Sequence, residues 1–320
     1  MLKHGRALIV VVVVLALIVA DFAGPLRVRQ LSIRLAPEPV FHLGGFAVTN
    51  TLLASWLAML LLLVAAVLAR RKLADVPSSR SLQNAVEAII ETLYGFMEGI
   101  VGEKARSFFP VVATFFLFIL TANWLGLLPG FGSVGFWAEE GGRRVFVPLL
   151  RGATADLSTT IALAVCAVIS LQVYGVRMRG LRGYASRFLP IGRLRDFAGG
   201  LVRGKGVRLS LLFRGLLDLF IGLMELFEDL TKILSFSFRL FGNVFGAEVL
   251  LLVIAFLVPY VASIPFLILE VFGGFIQAFI FAVLTTAFLG SVTSPHGKAT
   301  EAKAGAPVPA PPSAQPSTLP

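Results

Sequence analysis

The chain has 320 residues, 57% hydrophobic and only 14% charged, with a mean hydropathy of +0.88. Soluble domains carry about 25% charged residues, so this balance excludes an ordinary soluble globule. The net charge of +10 reads as the loop charge of a membrane protein, where Lys and Arg mark cytoplasmic segments, and not as a nucleic-acid surface. Several windows run for about 20 residues with few or no charges, the length that crosses ~30 Å of hydrocarbon. A membrane barrel would instead show alternating segments of ~10 residues.

Residues 7–20 (ALIVVVVVLALIVA) follow Lys3 and Arg6. This short apolar run suits a signal-peptide core as well as a short membrane helix, so residues 1–24 are read as one or the other. In both cases residues 25–46 lie outside the cytoplasm. Residues 47–69 are the first clear span, and Arg70-Arg71-Lys72 marks its cytoplasmic end. Across 82–100, Leu82, Val86, Ile89, Leu93, Phe96 and Ile100 recur at helical spacing while Glu87, Glu91 and Glu98 interrupt them. That pattern predicts an amphipathic helix along the membrane surface.

Residues 108–128 form a second span, closed by Trp124 at the interface and by Pro129-Gly130. A Gly-containing loop, 129–156, is expected outside, and 157–176 returns as a third span. The segment 177–214 carries ten Arg and Lys against one acid, Asp196, the signature of a cytoplasmic loop.

Residues 217–258 contain no proline and predict one helix of 42 residues. Such a helix is about 63 Å long, twice the hydrocarbon thickness, so it must be tilted, bent or partly outside the membrane. The last segment, 264–292, is also long for an upright span. A pair of long tilted helices suits a protein lying along a large curved partner. The tail 293–320 is rich in Pro, Ala and Ser and is expected to be disordered. The fold class is thus an all-α polytopic membrane protein: about five membrane helices plus a surface helix, with 47–292 as the membrane domain.

Familiar enzyme chemistry is missing. The single cysteine, Cys166, lies in an apolar run, and His4, His42 and His296 stand far apart, without metal-ligand spacing. Gly200 to Gly206 reads GLVRGKG, which lacks the length and the Ser/Thr of a phosphate loop. No cofactor, metal or nucleotide is expected.

The informative stretch is Ser235 to Glu248, SFSFRLFGNVFGAE. An arginine in apolar membrane sequence costs ~2.5–3.5 kcal/mol even on a lenient scale, so Arg239 must face a carboxylate or water. On a helical wheel Glu225, Glu228, Lys232, Ser235, Asn243 and Gly246 all fall within about 40° of Arg239. For Glu225 to Lys232 a solvated helix face is an equal reading; for Arg239 and Asn243, deeper in apolar sequence, it is a poor one. Glu248 falls about 180° away and must face another part of the protein. On the last helix Glu270 and Gln277 are seven apart and share a face. Two carboxylates flanking one aqueous cavity, one from each helix, suit proton relay, since burial favours their protonated form; the alternative is a pair of glutamates reaching an interface. Gly242, Gly246, Gly273 and Gly274 read as packing positions.

Arg239-Leu240-Phe241-Gly242-Asn243 with Glu248, and Gln277-Ala278-Phe279-Ile280-Phe281, resemble the RLFGN and QAFIF elements of ATP synthase subunit a. Asn123 to Gly130 resembles that family's NxxGLxPG segment, and Ala153-Thr154-Ala155-Asp156 the motif opening its next helix. The resemblance spans residues 36–292 in the same order. It implies a non-catalytic subunit of the bacterial plasma (inner) membrane that partners a ring of subunit c, the subunit b stalk and the rest of the complex, with protons as cargo. It also implies that Arg239 faces the ring carboxylate and that Asn243, Glu248 and Gln277 line an outer half-channel. Glu270 stands where many relatives have histidine. Glu225 and Lys232, and with them Ser235, fall toward a cytoplasmic half-channel. A self-contained ion channel or secondary transporter is the competing class, and neighbouring genes for a small proteolipid and soluble ATPase subunits discriminate the two.

Overall fold

The structure is a computed structural model that describes residues 36–71, 82–128, 131–132, 134–140, 143–188, 209–257 and 263–293. The expected N-terminal segment 1–24, the middle of the basic segment and the tail from Ser294 lie outside the described residues.

Six long helices dominate: α1 (Asn50–Arg71), α2 (Leu82–Val101), α3 (Ala105–Gly126), α4 (Leu157–Phe188), α5 (Leu209–Leu257) and α6 (Ser263–Thr293). By length and hydropathy five segments among the described residues can cross a membrane, one of them the continuous stretch Val86–Gly126. The protein is therefore all-α and polytopic. Two small antiparallel hairpins sit outside the helices: β1 (Pro39–Leu43) with β2 (Phe46–Thr49), and β3 (Gly135–Glu140) with β4 (Arg143–Pro148). The second lies within what the sequence presents only as a Gly-containing loop. Its register pairs Trp137 with Phe146 and Glu139 with Arg144, the cross-strand partners that stabilise a two-stranded ribbon.

The core lies where α3, α4, α5 and α6 meet. Phe108, Val112, Ile119, Leu171, Leu240, Phe281 and Leu289 are fully or nearly fully buried there. Ala164, Ala167, Ala278 and Ala282 are buried among them, and such small side chains let helix backbones approach closely. Phe236 of α5 locks in against Phe281 of α6, ring centroids 4.8 Å apart. Leu93 and Met97 of α2 join this core, while Val86, Ile89, Phe96 and Ile100 remain exposed. One amphipathic face of α2 is therefore buried in protein and the other faces outward.

The motif residues hold this arrangement together. Asp156 caps α4, its Oδ1 accepting the Ser158 amide at 2.9 Å, which satisfies a free N–H of the first turn. Its other oxygen accepts the Thr51 hydroxyl of α1 at 3.0 Å. Asn123 of α3 donates to the Gly274 carbonyl of α6 at 3.0 Å and accepts from Thr154 at 2.7 Å. A Cβ on Gly274 would sit 3.1 Å from that of Asn123, so here the glycine serves close packing.

Two boundaries differ from expectation. Helix α5 has 49 residues and begins at Leu209, earlier than 217, for a length of about 74 Å. The third span does not end at 176. Helical structure continues to Phe188 with a break at Gly180, where φ is 73°, a left-handed conformation that glycine adopts without strain. Twelve residues of the basic segment thus belong to a bent-back extension of α4. It is held by Tyr184, which is buried against Gly175.

Candidate functional site

Helix α5 carries three charged groupings along its length. The middle one is Arg239. It is exposed, and its only hydrogen bond among the described residues is from Nη2 to Ser235 Oγ at 3.2 Å. No carboxylate of the described residues pairs with it. Gly242, Asn243 and Gly246 are exposed beside it, and a Cβ on either glycine would meet nothing within 4 Å. Among the described residues these two glycines pack against nothing, and they leave the Arg239 face open. Phe238 (57% exposed) and Leu250 flank that face, so it is an apolar surface with a guanidinium set into it.

A cavity of about 270 Å³ runs from Arg239 and Ser235 to Thr231, Lys232 and Glu228, with Phe236, Leu284 and Phe288 as its apolar wall. Lys232 does not lie on a solvated helix face, as its wheel position allows. It is 5% exposed and contacts Asp229 Oδ1 and Glu228 Oε1, each at 2.9 Å. Its Nζ also sits 4.9 Å from the centre of the Phe288 ring. Glu225 is not in the cavity. It is turned to Arg187, whose Nε donates to Glu225 Oε2 at 2.6 Å. Asp229 completes the cluster, accepting from Gln172 Nε2 at 2.8 Å and lying 3.8 Å from Arg187 Nη2. The cause of this burial is tertiary: the bent-back end of α4 lies over this part of α5.

Toward the C-terminal end of α5, Glu248 faces the protein, as its position opposite Arg239 requires. Arg151, from the loop before α4, grips it through Nε at 2.9 and 3.3 Å and through Nη2 at 3.0 Å. This two-nitrogen grip is the strong, orientation-specific form of an arginine–carboxylate pair. Glu270 of α6 is near enough to Glu248 for their charges to interact. Its Oε2 is buried and has no hydrogen-bond partner among the described residues. Gln277 is 5% exposed, two turns along the same helix.

Lys232, Ser235 and Arg239 are thus brought together at one cavity, while Glu248 and Glu270 stand only within range of each other's charge. Asn243 shares the open face, and Glu225 belongs to a separate ion pair. The sequence reading missed Arg151, Arg187, Asp229 and Gln172. Asp229 had a local signal, three residues before Lys232 on the same helix. Arg187 had none, being one of ten cations in a basic run.

No group of three or more His, Cys, Asp or Glu capable of holding a metal occurs among the described residues. The chemistry the arrangement can do is proton transfer and charge pairing.

Residues 52–290 match the family described as ATP synthase A chain. The chain is 32% identical over 260 residues to ATP synthase subunit a of Moorella thermoacetica, covering 81% of this chain and 98% of that protein. It is 32% identical over 261 residues to ATP synthase subunit a of Geobacter sp. strain M21, covering 80% and 94%. Identity to ATP synthase subunit a 2 of Bradyrhizobium sp. strain BTAi1 is 28% over 259 residues, covering 81% and 95%. The matched stretch runs from the first membrane-length helix of the described residues almost to the end of the last: the chain belongs to the ATP synthase A chain family.

Proposed function

We propose that this chain is the proton-conducting subunit a of a bacterial F-type ATP synthase, a multi-pass protein of the plasma membrane whose Arg239 faces the carboxylates of a rotating ring of subunit c. The observation that carries the reading is the setting of Arg239. It is exposed on an apolar helix in a membrane protein, without a carboxylate of its own chain among the described residues. A guanidinium left against lipid is costly, so a partner must supply the counter-charge. The open glycines Gly242 and Gly246 leave room for a closely packed helix on that face.

In this mechanism a proton enters from outside past Gln277, Glu270, Glu248 and Asn243 and neutralises a ring carboxylate. The neutral site then rotates through lipid, where an ionised one would be excluded. After nearly a full turn it meets the cavity of Ser235, Lys232 and Glu228 and releases its proton to the cytoplasm. Arg239 holds the returning carboxylate ionised and blocks a direct leak between the two half-channels. Each charge crossing is worth ~2.3 kcal/mol per 100 mV, so the ring must sum several to drive one ATP. Subunit b and the remaining subunits would hold this chain still against the turning ring. The chain itself performs no covalent chemistry.

The test is Arg239→Ala in inverted membrane vesicles. ATP-driven proton pumping and ATP synthesis should be lost while the complex still assembles. Normal pumping would sink the reading and favour an ordinary channel or transporter.

A further inference from the structure

The buried cluster beside the cavity contains one cation that no part of the conduction scheme uses. Arg187 has a side chain only 7% exposed and sits between Glu225 at 2.6 Å and Asp229 at 3.8 Å, themselves 16% and 8% exposed. It reaches them because Gly180 breaks α4 with φ 73° and the chain folds back. Tyr184 wedges that fold-back against Gly175, and the Phe188 ring lies beneath the guanidinium at 5.3 Å. This is a built seat. An arginine in a basic run destined for water or lipid headgroups would not be threaded under its own helix.

The charges around it explain what the seat does. Glu225, Glu228 and Asp229 face two cations, Arg187 and Lys232, leaving one net negative charge when all are ionised. Gln172 and Tyr184 are further polar groups on α4 at the cluster, Gln172 donating to Asp229 and the Tyr184 hydroxyl lying beside Arg187. With Arg187 in place, Lys232 is shared between Asp229 and Glu228, and Glu228, with a side chain 59% exposed, stands at the cavity that reaches Arg239. Without Arg187, three carboxylates would converge on one lysine. Carboxylates crowded so closely around one cation repel one another.

We infer that Arg187 is a positioning residue of the cytoplasmic half-channel: it occupies Glu225 and Asp229 so that Glu228 is the carboxylate left to exchange protons between the Arg239 cavity and water. This rests on the reading of Arg239 as the ring-facing arginine. The bent end of α4 is then part of the conduction apparatus, and the proton leaves by Glu228 in preference to Glu225.

The experiment uses the whole complex in inverted vesicles and measures ATP-driven pumping, passive proton conductance after removal of the soluble ATPase, and the amount of assembled complex. Arg187→Gln should lower conductance per assembled complex about 100-fold, the lower end of the scale for losing a positioned proton-transfer group. Arg187→Lys, which keeps the charge, should recover most of it. Arg187→Gln combined with Glu225→Gln restores the original charge balance and should recover conductance that Arg187→Gln alone lacks. Wild-type conductance in Arg187→Gln overturns the inference, as does a double variant that assembles yet conducts no better than the single. Failure of both to assemble also overturns it, because Arg187 would then be a purely structural residue. Arg239→Ala in the same vesicles separates the two claims. If it pumps normally, the ring-facing reading fails. If it is dead while Arg187→Gln is normal, only the present inference fails.

Discussion

The two ends of the charged stretch of α5 and its middle handle charge in opposite ways. Glu225 and Glu248, about 35 Å apart along the helix, are each gripped by an arginine delivered from another element: Arg187 from the bent end of α4, and Arg151 from the loop before it. Between them Arg239 is left open, with a serine one turn away as its one hydrogen-bond partner among the described residues. Charges that are buried within a chain must be paired there, because an unpaired buried ion costs several kcal/mol. A charge left exposed on an apolar membrane helix needs a counter-charge or water that the described residues do not supply. The contrast therefore separates charges met within the described chain from the one left open, which the proposed function assigns to a partner.

The largest expected effect comes from breaking the middle conservatively. Arg239→Lys keeps a positive charge but loses the planar, always-protonated fork. It should reduce ATP-driven pumping by about 100-fold or more, on the scale of removing an essential electrostatic group. Pumping near wild type would show that charge alone suffices and that the open setting of Arg239 has no special geometry to satisfy.

The next effect sharpens the end near Glu248. Replacing both Glu248 and Glu270 with Gln should stop most pumping, while either single replacement should leave measurable flux through water or the surviving carboxylate. Because Arg151 already engages Glu248 and Glu270 has a buried oxygen without a partner, Glu270→Gln should be the more damaging single change. Equal rates for the double variant and wild type would remove these carboxylates from the path. Equal damage from both singles would show that the Arg151 grip does not distinguish them.

Smaller effects test the frame that delivers the two arginines. A Cβ at Gly175 would meet the Tyr184 ring and approach Val292 Cγ1 at 2.7 Å. Gly175→Ala should therefore cost about 1–3 kcal/mol by overpacking and loosen the seat of Arg187. Thermal unfolding in detergent reads the first effect. Passive proton conductance per assembled complex reads the second. An unchanged melting temperature would argue against the packed fold-back. Asp156→Ala removes the cap of α4 and the bond from Thr51, and should cost about 1 kcal/mol. Its pumping rate per assembled complex should stay near wild type, since the residue holds helices and touches no conducting group. A selective loss of pumping would place it in the path.

Much of this was readable along the chain. Hydropathy identified the membrane helices, since ~30 Å of hydrocarbon imposes a minimum apolar length whatever the neighbours are. The absence of proline across 217–258 announced a helix too long for one upright crossing. Arg239 stood out because an arginine in such sequence needs a reason. Helical periodicity placed Glu248 on the side away from it, and the structure finds Glu248 turned to Arg151. Those features depend on local composition and on the regular pitch of one helix.

Other features depended on contacts distant in sequence. Glu225 and Arg187 are 38 residues apart, and Glu248 and Arg151 are 97 apart, so no periodicity links them. The same wheel position that leaves Arg239 open leaves Lys232 buried, because Lys232 meets Asp229 and the Phe288 ring of α6 while Arg239 meets only a serine among the described residues. A helix has one pitch but many neighbours. The sequence by itself determined which residues share a face, the apolar lengths that span the membrane and the cost of each charge placed there. Only the tertiary structure decided which of those charges are met within the described chain and which are left open, because pairing is set by where other helices and loops return.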